Sequence, residues 1–174
     1  TQPPALGRAM ASAELERTLL AAAETNSKIA LGEAIASIQA AGGDINCTNA
    51  NGETAVWVAS ASFAEDALRL LVAAGADTDK CDTRGRSPAW IASRWNNGPG
   101  LLLLLKAGSD IDTANEKGQT PLWIATSANS RKCLSLLLRA GANVHIRDAN
   151  GCSPVGIANK RNREKCKQRL LEAG

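Results

Sequence analysis

The chain has 174 residues, of which 44% are hydrophobic and 21% are charged, a composition typical of one soluble globular domain with a sizeable core. Its longest apolar run, residues 101–105, is far shorter than the roughly 20 residues of a transmembrane helix, so no transmembrane segment is expected. The net charge of +3 is unevenly placed, because residues 159–174 hold six basic and two acidic side chains.

The chain contains five cysteines and no Cys-x-x-Cys motif. An odd number of cysteines without that motif predicts free thiols in a reducing compartment. We therefore expect an intracellular protein, cytoplasmic in the first place and organellar as the alternative. Cys47 and Cys81 lie in predicted loops, where we expect exposed thiols. Cys133 and Cys166 lie 33 residues apart on predicted neighbouring helices, too far apart for a disulfide, and are expected to be small buried hydrophobes.

The N-terminal part of the chain is predicted to cap a repeat array. Residues 1–11, which include Pro3-Pro4, are predicted to form an extended arm. Residues 12–46 are predicted to form a degenerate capping repeat, with helices at 12–24 and about 30–41, followed by a Gly-Gly turn.

Two series of glycines divide the rest of the chain into units of 33 residues. Every step within both series is 33 residues, which predicts repeats at 47–79, 80–112 and 113–145 and a C-terminal capping repeat at 146–174. The first series is Gly52, Gly85, Gly118 and Gly151, and the second is Gly42, Gly75, Gly108, Gly141 and Gly174.

Each unit carries the signals of two helices and a polar connection. Helix N-caps are predicted at Thr54, Ser87, Thr120 and Ser153. Proline follows three of these caps at the first helical position, where its missing N–H has no cost. A leucine-rich second helix then ends at Ala-Gly, where glycine supplies a left-handed cap. The polar remainder predicts a hairpin-like finger that leads into the next unit.

The period and the motif Gly-x-Thr-Pro-Leu-x-x-Ala, present as Gly118-Gln-Thr-Pro-Leu-Trp-Ile-Ala125, resemble the ankyrin repeat. This resemblance covers about residues 29–174 and implies an all-α solenoid of stacked helix pairs with hairpin-like fingers. The family's usual histidine is replaced by Trp57, Trp90 and Trp123, and by Gly156 in the last repeat. The tryptophan column is interpreted as a packing spine, with a partly exposed binding strip as the alternative.

The last predicted helix carries a charged face. Lys167 and Arg169 occupy the positions that Leu134 and Leu136 hold one repeat earlier. A terminal repeat needs a polar outer face for solubility. We therefore expect both side chains to point away from the array and to close it.

The sequence offers no arrangement for catalysis. His145 is the single histidine, so neither a catalytic triad nor a metal site at ligand spacing can be built around it. No phosphate-binding glycine motif is present. We expect no catalytic, cofactor-binding or metal-binding residue, and no enzyme activity.

The resemblance implies a scaffold that binds a partner protein through finger tips and the face of the first helices. The second repeat is expected to dominate, with Trp95 as a binding anchor. Alternatives are a structural subunit of a larger, possibly organellar, complex and a basic C-terminal cap that contacts an anionic membrane or nucleic acid. Carried over position by position, the implied contacts are Arg84, Arg86, Arg94, Trp95, Glu116, Lys117, Gln119, Ser127, Lys160 and Arg161.

Overall fold

The computed structural model describes the backbone of residues 5–174 and the side chains from residue 13 onward. Within that range the secondary structure is helical, which confirms the all-α class. Ten helices follow in chain order: α1 Ala5–Glu24, α2 Lys28–Ala41, α3 Ala55–Ala61, α4 Glu65–Ala73, α5 Pro88–Trp95, α6 Gly98–Lys106, α7 Pro121–Ala128, α8 Arg131–Arg139, α9 Pro154–Lys160 and α10 Glu164–Ala173.

The helices form two parallel rows. Helices α1, α3, α5, α7 and α9 pack against one another in sequence, and helices α2, α4, α6, α8 and α10 do the same. We call these the inner row and the outer row. Each inner helix also packs against the outer helix that follows it. Because each unit contacts mainly its neighbours, the chain is a helical solenoid.

The predicted N-caps set the starts of the inner helices. The hydroxyls of Thr54, Ser87 and Thr120 accept hydrogen bonds from the backbone N–H three residues later, at 3.1–3.2 Å. Ser153 does the same for Gly156. Proline occupies the first turn of α5, α7 and α9, as predicted. These caps satisfy donors that the first helical turn would otherwise leave without a partner.

Each finger is a turn closed by one short polar side chain. Asp82 Oδ1 accepts the N–H groups of Arg84 at 3.0 Å and Arg86 at 2.8 Å. Asn49, Asn115 and Asp148 close the other three turns in the same way. Asx side chains favour such turns because they hydrogen-bond to the backbone two residues on.

Neighbouring fingers are joined by main-chain hydrogen bonds. The N–H of Thr83 donates to the carbonyl of Asn51 at 2.9 Å, and equivalent bonds join the next fingers at 3.2 and 2.9 Å. Gly52 explains why the first glycine series is needed. Its φ is +75°, and a Cβ there would lie 2.8 Å from the Thr83 nitrogen, so a side chain would push the fingers apart.

The core lies between the two rows. Leu68, Leu71, Leu101, Leu104, Leu134 and Leu137 are fully buried there. The third leucine of each group, such as Leu103 or Leu136, is only half-buried, on the outer side of its helix. Cys133 and Cys166 are free and fully buried in the same core, as predicted.

The N-terminal helix is longer than the sequence indicated. Helix α1 begins at Ala5, so the prediction of an extended arm at residues 1–11 is wrong from residue 5 onward. Residues 5–13 are rich in alanine and carry leucine and methionine, which are strong helix formers. Residues 1–4 lie outside the described part of the chain.

The two basic residues of α10 have different environments. Lys167 is half-buried, at the position that is core in earlier repeats. Arg169 instead points back along the outer row and donates a hydrogen bond to Ser135 Oγ on α8. The prediction that Arg169 faces away from the array is therefore wrong. Its counterpart Leu136 is half-buried, because it packs against the core and also lines the outer side of α8.

Candidate functional site

The tryptophan column is a packing spine, and the alternative of a partly exposed strip is wrong. The exposed fraction of Trp57, Trp90 and Trp123 is only 4–7%. The indole Nε1 of Trp57 donates to the carbonyl of Arg86 at 3.1 Å, and that of Trp123 donates to the carbonyl of Cys152 at 3.0 Å. Tryptophan therefore makes hydrogen bonds between repeats. Trp90 Nε1 is the exception, because it is buried without a hydrogen-bond partner.

Arg86 is part of the fold and is not free for a partner. Its Nε donates to Asp82 Oδ2 at 2.6 Å, and its guanidinium lies 3.8 Å from Glu53. The same guanidinium lies over the ring of Trp57 at 5.0 Å and over that of Trp90 at 5.9 Å. Arg86 thus joins the first two repeats through ion pairs and cation–π contacts.

A recess lies along the C-terminal ends of the inner helices α5, α7 and α9. We call it the trough. Trp95, Ala128 and Arg161 hold equivalent positions in three successive repeats, so a large, a small and a large side chain follow one another. Trp123, Ile124 and Ser127 also line the trough, whose volume is about 650 Å³. Because neighbouring helices pack about 8–10 Å apart, Trp95 and Arg161 stand on opposite sides of α7.

Trp95 is held in an exposed position. It is the last residue of α5, which ends because Asn96 adopts a left-handed conformation with φ +60°. Its ring is 53% exposed, and the Arg94 guanidinium lies 5.4 Å from its centroid. Arg94 also lies 5.9 Å from the buried ring of Trp90, and its carbonyl accepts a hydrogen bond from Ser130. The Arg94 guanidinium therefore lies near two tryptophan rings, one buried and one exposed.

Phe63 is an exposed aromatic residue that the sequence reasoning missed. It is 54% exposed and has φ +59°, which is costly for a bulky residue. Asn96 and Asn129 hold the equivalent position, one and two repeats later, with φ +60° and +61°. Asparagine tolerates this conformation. Phe63 lies in the loop after α3, at the end of the inner row that also carries Trp95. An alignment of the four repeats would have revealed it.

Position 63 lacks the asparagine of the later repeats, and a neighbouring side chain makes the hydrogen bonds that this asparagine would make. Asn96 Oδ1 accepts hydrogen bonds from the N–H groups of Lys132 and Cys133 in the next repeat, at 3.2 and 3.4 Å, and Phe63 has no such acceptor. Asn97 makes the corresponding link, because its side chain donates to the carbonyl of Ser60 and accepts from the Gly100 N–H, both at 2.9 Å. The link between the first two repeats therefore does not require an asparagine at position 63.

The other predicted contact residues fall into two groups. The trough brings together Arg94, Trp95, Gln119, Ser127 and Arg161, although Ser127 is only 3% exposed and lies at its floor. The second group is exposed and lies away from the trough lining. It comprises Arg84, Glu116 and Lys117 at finger tips and Lys160 at the end of α9.

The cysteine thiols lie in buried or half-buried positions. Burial raises the pKa of Cys133 to about 12 and that of Cys47 to about 11. Cys47 is 8% exposed, so the expectation of an exposed thiol there is wrong, whereas Cys81 is half-buried. Across residues 13–174, His, Cys, Asp and Glu side chains form no group of three or more that could hold a metal ion.

Comparison with known families identifies the architecture. A family model described as ankyrin repeats (3 copies) matches residues 19–115 and 96–174. The chain therefore belongs to the ankyrin repeat family, whose members are generally protein–protein interaction modules and typically non-catalytic. No curated protein matches the chain. In the part of the chain that the structure covers, no helix is long and apolar enough to cross a membrane.

Proposed function

We propose that this chain binds a partner protein through the trough, with Trp95 as the anchor. The observation that carries this proposal is a large aromatic ring, half-exposed and stacked on Arg94, beside a recess that crosses three repeats. Tryptophan and arginine are the residues that most often dominate the binding energy of protein interfaces. An ankyrin array supplies the rigid frame that such an anchor needs.

The chemistry of the trough indicates the kind of segment it accepts. Ala128 leaves space between Trp95 and Arg161, so an apolar side chain of the partner can be inserted against the indole ring. Arg94 and Arg161 line the same recess, and no carboxylate does. A carboxylate or carbonyl group of the partner next to that apolar side chain would accept hydrogen bonds from these guanidinium groups.

The finger tips extend the proposed surface. Arg84, Glu116 and Lys117 are exposed there and differ in charge. Exposed charges at the rim of an interface mainly influence partner choice and the rate of association. We therefore assign affinity to the trough and selectivity to the tips.

Site-specific photocrosslinking in the cells that express this chain tests the proposal. A photoreactive amino acid replaces Ala128, which is exposed at the centre of the trough, or Ser37, which is exposed on α2 of the outer row. The expected result is a discrete crosslinked protein from position 128 that is absent from position 37 and lost when Trp95→Ala is added. Mass spectrometry of that band identifies the partner and shows whether it belongs to a larger complex. A crosslinked band that persists with Trp95→Ala would contradict the anchor role.

A further inference from the structure

A second recess lies along the outer row and shares only Asn96 and Asn129 with the lining of the trough. We call it the outer groove. It is centred on α6 and α8, reaches α4 on one side and α10 on the other, and has a volume of about 990 Å³. Leu103 and Leu136 are half-buried in its lining, and Leu102 beside them is 41% exposed. The outer groove therefore combines a recess with accessible aliphatic surface.

The charge around the outer groove is strongly positive. Its lining includes one carboxylate, Glu65, which forms an ion pair with Arg69 at 2.6 Å. In the part of the chain whose side chains are described, the remaining cations of the lining form no ion pair. The six basic residues of the lining are Arg69, Lys106, Arg131, Lys132, Arg139 and Arg169.

The fold does not require the groove's distinctive residues. Leu102 is exposed at a position that is polar in the other units, where Arg69, Ser135 and Gln168 stand. Lys106 corresponds to Ala73 one repeat earlier. The same helix thus forms with serine and alanine at these positions. Leu102, Leu103 and Leu136 together give the recess an apolar patch surrounded by basic residues, and apolar patches rimmed by polar groups mark interaction sites.

We propose that the outer groove binds an acidic amphipathic α-helix of a partner protein. Aliphatic side chains on one face of that helix would enter the groove over Leu102, Leu103 and Leu136, and its carboxylates would pair with the surrounding cations. The lining extends from Arg69 on α4 to Arg169 on α10. Three helix spacings of about 8–10 Å give roughly 24–30 Å, which is the length of about 16–20 helical residues.

Two features favour a peptide helix over other anionic partners. The lining contains no aromatic side chain on which unpaired nucleic-acid bases could stack. The leucines also lie within a recess, whereas a membrane surface is contacted by apolar groups that protrude. A helix that inserts its own aliphatic side chains fits this shape.

The test uses a fluorescently labelled synthetic peptide of about 18 residues with leucines on one helical face and glutamates elsewhere. Its binding is measured by fluorescence anisotropy at low ionic strength. Leu102→Ser with Lys106→Ala copies residues already present in neighbouring repeats and should weaken binding at least tenfold. The matched control is Ile29→Ser with Lys28→Ala, which also removes one exposed aliphatic and one exposed basic side chain, and should leave binding unchanged.

Further variants separate this site from the trough and from nonspecific attraction. Trp95→Ala should leave peptide binding unchanged, because Trp95 lines the trough and not the outer groove. A peptide with serine in place of leucine should bind at least tenfold more weakly. Equal binding of the two peptides, or equal binding by the Leu102→Ser with Lys106→Ala variant and the wild type, would overturn the proposal. So would tighter, groove-dependent binding of duplex DNA or of phosphatidylserine vesicles.

Discussion

Phe63 holds the same left-handed backbone conformation as Asn96, its counterpart one repeat later, with φ angles of 59° and 60°. The two residues have the same backbone conformation, but their side chains make different contacts. Asn96 links its repeat to the next one, whereas Phe63 is 54% exposed. Strained residues of this kind persist where something other than stability maintains them. Phe63 is therefore a candidate to extend the trough surface into the first repeat.

The first prediction concerns this strain. Phe63→Asn should raise the free energy of unfolding by about 1–2 kcal/mol, because asparagine adopts the left-handed conformation at lower cost. The reverse change, Asn96→Phe, should lower it by more than that amount, since the hydrogen bond from Lys132 is also lost. Urea denaturation measures both values. A Phe63→Asn variant less stable than the wild type would show that the phenyl ring contributes to the fold.

The second prediction concerns the proposed anchor. Trp95→Ala should weaken binding of the partner identified by crosslinking by about 2 kcal/mol or more. Its melting temperature should change little, because the ring is half-exposed and contacts the side chain of Arg94. Calorimetric titration and thermal denaturation measure the two quantities. A loss of stability with unchanged affinity would place Trp95 among the structural residues.

The third prediction compares two buried tryptophans, of which Trp123 donates an indole hydrogen bond and Trp90 lies near two guanidinium groups. Trp123→Phe should cost about 1 kcal/mol more than Trp90→Phe, because Trp123 donates to the Cys152 carbonyl and Trp90 Nε1 has no partner. Both rings are buried to a similar extent, so the loss of packing is similar. Chemical denaturation of the two variants tests the difference. Equal costs would mean that the indole hydrogen bond of Trp123 stabilises the array no more than the cation–π contacts of Trp90 do.

The fourth prediction concerns pH. Burial raises the pKa of Asp79 and of Asp112, while each carboxylate accepts a hydrogen bond from the next repeat, from Asp110 N–H and Asn143 N–H respectively. Nearby carboxylates raise both pKa values further. Because the pKa of each carboxyl group is raised in the folded state, the folded protein favours the protonated form of both groups. The stability that comes from protonation is fully present below the unfolded pKa, about 3.9, and is lost as the pH rises through the folded pKa.

Asp79→Asn with Asp112→Asn should therefore be more stable than the wild type at neutral pH. The advantage should shrink as the pH falls toward about 4. Asparagine keeps the acceptor oxygen, as Asn46 shows by accepting from the Asp77 N–H at 2.8 Å. Urea denaturation across this range measures the effect, with the exposed residue Asp66 changed to Asn as the control. A variant that is less stable than the wild type at neutral pH would contradict the sign.

The repeat units and their helix starts could be predicted because they depend on local chemistry. Thr120 caps α7 through an atom three residues away, and the glycine spacing fixes the fingers. The role of Arg86 could not be assigned from its position in the repeat alone. Arg86 lies in a finger, where the resemblance implied a contact with a partner. Its side chain instead contacts Asp82, four residues earlier, and two tryptophan rings from different repeats. The i, i+4 acidic–basic pair was the available signal.

The trough and the outer groove were harder to predict from the sequence. Each is lined by residues more than 60 positions apart in the chain, such as Trp95 and Arg161. Periodicity places such residues in equivalent positions but does not show whether a side chain lies at the rim or at the floor. Ser127 illustrates this, since the resemblance implied a contact residue and the structure places it at the floor with 3% exposure.

The way each finger closes has a consequence for how such a molecule can diversify. The closing side chain is always Asn or Asp, at positions 49, 82, 115 and 148, and it bonds to the backbone of its own turn. At positions 49, 82 and 115 it also bonds to the side chain four residues further on. The two residues that follow it are Ala-Asn, Thr-Arg, Glu-Lys and Ala-Asn in successive repeats. Because those side chains take no part in closing the turn, tips could be exchanged between repeats, or grafted from another array, to redirect recognition while the scaffold stays unaltered.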